Sequence, residues 1–307
     1  MKKTISYLLV GVSALAMLTL GGCSKSSSLP PIGGYNTAND VAPANLLAHW
    51  SFDNTNNEVI SGTAPTTATG NSFVTGQVGQ ALNLSSGYLL YPTITALSSA
   101  NAFPSVTVSL WVKISNNGTA QTNLFGITQA LAAQKDWNTG PLNVYVETGN
   151  HKATSDTLQV HSDFATYTTG SVQNGDNVNA YGTAGTDFQW VTSGGSWMHY
   201  VMEYDGTGSN IDLYVNGVIV SNNKFRNRTY TPAGSTTAVG IGVITVTPPT
   251  QVIIGGWPNI TTGFTGGSAA QTWQTLMTGS LDEVRVYSKA LSTTEIGALY
   301  SFGKAGR

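Results

Sequence analysis

"GSLDEVRVYSKALSTTEI", Gly279 to Ile296, is the stretch from which the rest of the chain is read. Its first half alternates like a strand, with Leu281, Val284 and Val286 set among polar residues. Its second half holds Ser292-Thr293-Thr294-Glu295, an S-x-x-E capping box that opens a short helix, "TTEIGALY". Three carboxylates fall here, in a chain with only 9% charged residues, so their placing matters. Neighbours on a strand point to opposite faces. Asp282 then shares a side with Ser280, Val284 and Val286, and Glu283 with Leu281, Arg285 and Tyr287. On that reading the two acids cannot converge as an acid–base pair. Glu283 beside Arg285 reads as a solvated ion pair of little worth. Asp282 falls on a valine-bearing, core-facing side, where a carboxylate needs a hydrogen bond, a counter-charge or a cation.

Upstream the same two-residue period returns. "LLAHWSF" (Leu46–Phe52), "SVTVSLWVKI" (Ser105–Ile114), "WMHYVMEYD" (Trp197–Asp205) and "IDLYVNGVIV" (Ile211–Val220) all read as strands. The last contains Asn216-Gly217 between apolar flanks, a strong hairpin signal, because a type I′ turn needs positive φ at both central positions. Many strands, Gly-rich turns and few helix signals predict an all-β sandwich or jelly roll.

The N-terminus reads differently. "MKKTISYLLVGVSALAMLTLGGCS" has Lys2 and Lys3, an apolar run from Tyr7 to Leu20, and small residues before Cys23. It resembles a bacterial lipoprotein signal peptide over residues 1–22, with Cys23 as the lipidated residue. Cys23 is the only cysteine, so an internal disulfide is excluded. Ser24 after it, by the same resemblance, implies sorting to the outer membrane, on its periplasmic or cell-surface side. Residues 23–45 are rich in Ser, Pro and Gly and predict a flexible tether of about 25 Å. Lys+Arg 13 against Asp+Glu 15 gives −2, which offers no basic surface and argues against nucleic acid as a partner.

Three anchors stand in order: "LLAHWSFDN", "WMHYVMEYDGTGSNIDLYVNGVIVS" and "GSLDEVRVYSKALSTTEIGALY". Together they resemble the laminin G-like group of the concanavalin A-like lectin/glucanase superfamily, over about Leu46 to Phe302. The resemblance implies one domain at 46–307, a two-sheet antiparallel jelly-roll sandwich with a short C-terminal helix. It also implies carbohydrate binding or adhesion, and a structural calcium. Residues 116–195 and 224–278 look longer than the family minimum and read as loop or extra-hairpin insertions. If the terminal strands pair antiparallel, Asp53 comes near Asp282, and the two would offer oxygens to Ca²⁺. The alternative is that Asp282 caps backbone N–H groups while Asp53 opens a turn with Asn54.

Catalytic glucanases of the superfamily carry carboxylates in an E-x-D-x-x-E run, which this chain lacks. Glu203 and Asp205 are the nearest pair, sharing a strand face before a turn. His49, His151, His161 and His199 show no metal-ligand spacing. His161, Tyr167 and Arg226 are residue types a lyase would use, but nothing in the sequence groups them. Binding is the favoured reading: sugar rings stack on flat aromatic faces, and the two long segments supply Trp137, Trp190, Trp257 and Trp273. The bland alternative for each is a loop hydrophobic cluster. The sequence thus reads as a non-catalytic, glycan-capturing outer-membrane lipoprotein. An adhesion or structural envelope protein with a protein partner is the alternative, and a polysaccharide hydrolase or lyase the third reading.

Overall fold

The computed structural model describes residues 29–168 and 171–307. The signal peptide and Cys23 lie outside them. The strands, in chain order, are β1 (Leu46–Trp50), β2 (Thr67–Thr75), β3 (Gln80–Tyr91), β4 (Val106–Ile114), β5 (Gln121–Gln129), β6 (Leu142–Val146), β7 (Thr157–Leu158), β8 (Val160–Thr168) and β9 (Ser171–Val178). They continue as β10 (Val191–Thr192), β11 (Trp197–Asp205), β12 (Asn210–Val215), β13 (Val218–Ile219), β14 (Thr229–Tyr230), β15 (Val239–Gly240), β16 (Thr250–Ile254), β17 (Gln274–Thr275) and β18 (Met277–Tyr287). One helix, α1 (Thr293–Lys304), follows.

The main sheet runs β13-β12-β11-β4-β18-β3-β16-β5-β6-β8-β9. It curls so that its far ends meet: β9 lies against β12, where Asn177 donates its side-chain N–H to Ile211 O at 2.7 Å. The result is an antiparallel sandwich, with β17 beside β5 as a short parallel addition. Val108, Leu110 and Leu281 from one layer pack on Val144, Phe164 and Ile254 from the other in a single large core. Tyr200 spans the core and donates its hydroxyl to His161 O at 3.0 Å.

The expected hairpin is present: Asn216 (φ 52) and Gly217 (φ 79) join β12 to β13. The capping box also forms, since Glu295 Oε2 accepts from Ser292 N at 2.8 Å while Ser292 Oγ accepts from Glu295 N. The helix covers part of the outer face of the first layer. Tyr300 stacks on Trp111 at 5.9 Å, and Ile296, Leu299 and Phe302 pack with Val201 and Tyr287.

Three sequence expectations need correction. Residues 31–45, read as tether, belong to the compact unit that starts at Pro31. Val41 is fully buried with Tyr287 and Phe302, and Asn45 O accepts from Ser288 N at 2.9 Å. Apolar residues hidden in a Pro/Gly-rich stretch found a partner in the helix face. Residues 116–195 are likewise no insertion: they supply β5, β6, β8 and β9, most of the second layer, and 224–278 supplies β16. The third correction is local. Asp282 lies opposite Trp111 and Arg285 opposite Ser109, so Glu283 and Val284 together face one residue, a β-bulge. Glu283 takes φ 51 to make it. Val284 and Val286 keep the core face, but Asp282 moves to the outer face with Arg285. Glu283 is not solvated: it is buried, with His49 Nε2 at 3.0 Å from Oε2 and Arg285 also paired to it.

Candidate functional site

The outer face of the second layer gathers aromatic residues that are far apart in sequence. In β6, Leu142, Val144 and Val146 enter the core, which turns Asn143 and Tyr145 outward. Tyr145 stacks on His161 of β8 at 4.5 Å. The loop after β5 brings Trp137 over this face, the loop after β16 brings Trp257, and Trp273 precedes β17. Trp257 meets Trp273 at 5.0 Å, Tyr145 at 5.1 Å and Trp137 at 5.4 Å, all edge-to-face. Trp137 meets Trp273 at 5.2 Å. Backbone pairings fix the loops: Gln121 N donates to Trp273 O, and Asn143 Nδ2 to Trp137 O at 3.0 Å.

The three tryptophans have different roles. Trp257 is only 1% exposed, and its indole N–H donates to Gln121 O at 3.0 Å. It is the cluster's buried centre, which corrects the expectation that its ring would meet a ligand directly. Trp137 and Trp273 are half-buried and keep accessible surface. Asn259 and Gln274, joined at 2.9 Å, line a cavity of about 50 Å³ beside Trp257. Trp190 lies elsewhere, 50% exposed, against Phe188. With Val218 (59% exposed) and Ile219 (41%) it borders a groove of about 450 Å³ at the β13 edge of the sheet.

A charged network supports the aromatic face. His161 Nδ1 lies 2.6 Å from Glu147 Oε1, and Nε2 lies 3.3 Å from Asp176 Oδ2. Arg228 pairs with Asp176 at 3.0 Å. Burial alone would lower the histidine's pKa, but the bonds to Asp176 and Glu147 outweigh it and hold the ring protonated, pushed up to about 9. Asp163, 4% exposed, has no hydrogen bond to either carboxyl oxygen among the described residues, and burial pushes its carboxyl to about 7. Arg226 holds Asp212 at 2.8 Å, Tyr167 is bonded to Gln129 and His161 to Glu147 and Asp176, so each member of the lyase-type trio is engaged by a different partner.

Asp53 and Asp282 do converge, on the turn between β2 and β3. Asp282 Oδ2 accepts from Val78 N and Asp53 Oδ1 from Gln80 N, both at 2.8 Å. Each acid therefore caps backbone N–H groups. The other oxygen of Asp282, Oδ1, is buried and unpartnered, and burial, with the nearby charges of Glu283 and Asp53, pushes this carboxyl to about 7. A hard cation would suit that oxygen. However, calcium takes six to eight oxygens. Among the described residues no group of three or more metal-ligating side chains forms, so backbone oxygens and water would have to supply the rest.

The hydrolase candidates are otherwise engaged. Glu203 is buried opposite Asp212, and burial with that neighbouring charge pushes its carboxyl up to about 8. Asp205 caps its own turn, accepting from Thr207 N at 2.9 Å and Gly208 N at 3.0 Å.

The family profile of the Concanavalin A-like lectin/glucanases superfamily matches residues 84–297, which includes both long segments. The chain belongs to this superfamily. No curated protein matches it in sequence. Among solved structures, this lectin/glucanase-like chain is similar to domain 4 of AbnA, a GH43 extracellular arabinanase from Geobacillus stearothermophilus, solved in complex with arabinotriose. Identity is 19% over 83% of this chain and 98% of that one, with a TM-score of 0.47. It is also similar to the botulinum neurotoxin serotype G binding domain, at 10% identity over 84% of this chain, TM-score 0.50. The binding domain of Paraclostridial Mosquitocidal Protein 1 gives 12% over 84%, TM-score 0.49. The chain spans about half the length of these two toxin structures (51% and 52%). At such identities the likeness is one of fold.

Proposed function

We propose that this domain is a non-catalytic glycan-binding module, carried on the outer membrane by a lipid on Cys23. The observation that carries the reading is the convergence of Trp137 and Trp273 on the buried Trp257, with the amides of Asn259 and Gln274 alongside. Accessible rings next to fixed hydrogen-bonding groups are what sugar recognition requires. The anchor is proposed from the sequence; among the described residues no helix is long and apolar enough to cross a membrane.

Affinity electrophoresis against a polysaccharide panel tests the reading. Trp273→Ala should cost about 2 kcal/mol of binding, roughly thirtyfold, as for an exposed aromatic hot spot. Trp190→Ala should leave the mobility shift unchanged. A second reading, protein-partner adhesion, is favoured by the exposed Trp190–Val218–Ile219 groove beside an open strand edge. If no polysaccharide retards the wild type, and a pull-down captures an envelope protein that Trp190→Ala releases, adhesion replaces glycan capture.

We further propose a calcium held by Asp282 and Asp53 that reinforces the turn between β2 and β3. Melting in excess calcium against EDTA should show a gain of about 2.7 kcal/mol at a hundredfold excess over Kd, absent in Asp282→Asn. An identical Tm in both buffers would leave the two acids as turn caps alone.

A further inference from the structure

The largest concavity among the principal cavities, about 660 Å³, lies on the outer face of the first layer, away from the aromatic cluster. One ladder of side chains crosses it. Trp197 of β11 stands opposite Lys113 of β4, Lys113 opposite Ser280 of β18, Ser280 opposite Asn83 of β3, and Asn83 opposite Ser72 of β2. Directly opposed residues share a face, and strands lie about 4.8 Å apart, so the row runs for roughly 19 Å. It presents a flat indole and a cation, followed by a polar row in which the buried Ser280 donates to Asn83 Oδ1 at 3.1 Å and Asn83 Nδ2 donates to Ser72 Oγ at 3.3 Å at the groove's edge. Lys113 is exposed. The lysines that have carboxylate partners among the described residues are Lys224, with Asp187, and Lys289, with Glu295. No Asp or Glu lines the groove, so Lys113 sets its charge.

The groove does not end there. Ser115 and Thr278 also line an adjoining cavity of about 240 Å³, with Asn117 and Thr275. Thr275 and Leu276 in turn line the small cavity of Trp257, Asn259 and Gln274. Hydroxyls and amides thus lead from Trp197 to the tryptophan cluster without an intervening carboxylate.

We infer that these concavities form one extended groove for an acidic polysaccharide. Trp197 and the Trp273 end bind separate stretches of the chain, and Lys113 pairs with an anionic group on the sugar. This rests on the glycan-binding reading and adds to it the ligand's charge class and the second contact face. A net charge of −2 gives the chain no general attraction for such a polymer, so the local charge of this acid-free, lysine-bearing groove is what would select it.

The test uses polygalacturonate, its carboxyl-reduced neutral counterpart and a sulfated galactan, each titrated against the full domain. The wild type should bind an anionic polymer up to about fivefold more tightly than the neutral one, the effect of a single exposed ion pair. The preference should shrink with salt. A preference for polygalacturonate or for the sulfated polymer tells carboxylate from sulfate. Lys113→Gln should erase the preference and Lys113→Arg should keep it; both changes are at an exposed position and should leave Tm unchanged. Trp273→Ala should weaken both polymers. Equal binding of charged and neutral polymers, or a preference that survives Lys113→Gln, overturns the acidic groove while glycan binding stands. Loss of acidic binding in Lys113→Gln with none in Trp273→Ala overturns the continuity of the groove. Failure of the wild type to bind any of the three while a polysaccharide of the wider panel retards it overturns the acidic groove alone, and failure on the whole panel removes the glycan reading itself.

Discussion

Trp257→Ala is expected to lower the melting temperature by about 10 °C and to abolish glycan binding with it. Trp257 is 1% exposed and sits within 5.4 Å, centroid to centroid, of three aromatic rings. Its indole N–H satisfies Gln121 O, at the start of β5, so the ring also ties the β16 loop to the sheet. Truncating a buried tryptophan costs about 3–5 kcal/mol, and a domain of this size loses roughly 2–4 °C per kcal/mol. Trp273→Ala should differ, because Trp273 is half-buried and sits at the rim: binding falls while Tm moves only a few degrees. Thermal melts and affinity electrophoresis on the two variants separate a structural centre from a contact residue. Equal Tm losses in both would mean that the cluster is packing throughout, the bland alternative weighed at the outset.

The contrast between these tryptophans shows where local sequence stops being informative. The alternation in β4 and β11, the Asn216-Gly217 turn and the Ser292–Glu295 box are signals within ten residues of chain, and the structure forms each of them. The second layer was obscured because its outer face carries Asn143, Tyr145, His161 and Asp163, a composition that resembles loop. The Glu283 bulge was also hidden, since one residue at positive φ inverts the side-chain order after it without changing composition. Asp53 and Asp282 meet as expected, but on a turn's N–H groups. Trp137, Trp257 and Trp273 could be named from residue type. Their convergence depends on β5 pairing with both β6 and β16, a register no short window contains. The Trp197–Lys113–Ser280–Asn83–Ser72 row needs five strands in register, which no short window contains.

Stability is expected to peak in mildly acidic solution and to fall steadily toward pH 9. His161 is held protonated up to about pH 9, against 6.5 when unfolded, so its contribution is complete below 6.5 and is lost as pH rises through 9. Asp163 and Glu203 act in the same direction. Burial raises their folded pKa values to about 7 and about 8, from 3.8 and 4.5, so between those limits the folded state keeps protons the unfolded state has released. Each then opposes folding as pH climbs, by a few kcal/mol at most once ionised. The acid limb has other causes. His199 is buried, beside the charge of Arg285, and ionises only near pH 3, so acid favours the unfolded chain from 6.5 downward. Asp176, held low chiefly by its bond to His161, adds stability that is lost on acidification. Glu203→Gln and Asp163→Asn should flatten the alkaline fall in Tm whatever their effect on its absolute value, since an amide has no proton to lose. Chemical denaturation between pH 5 and 9 would measure this directly. A wild-type stability that rises toward pH 9, or an alkaline slope unchanged in the double amide variant, would show that these buried groups do not govern it.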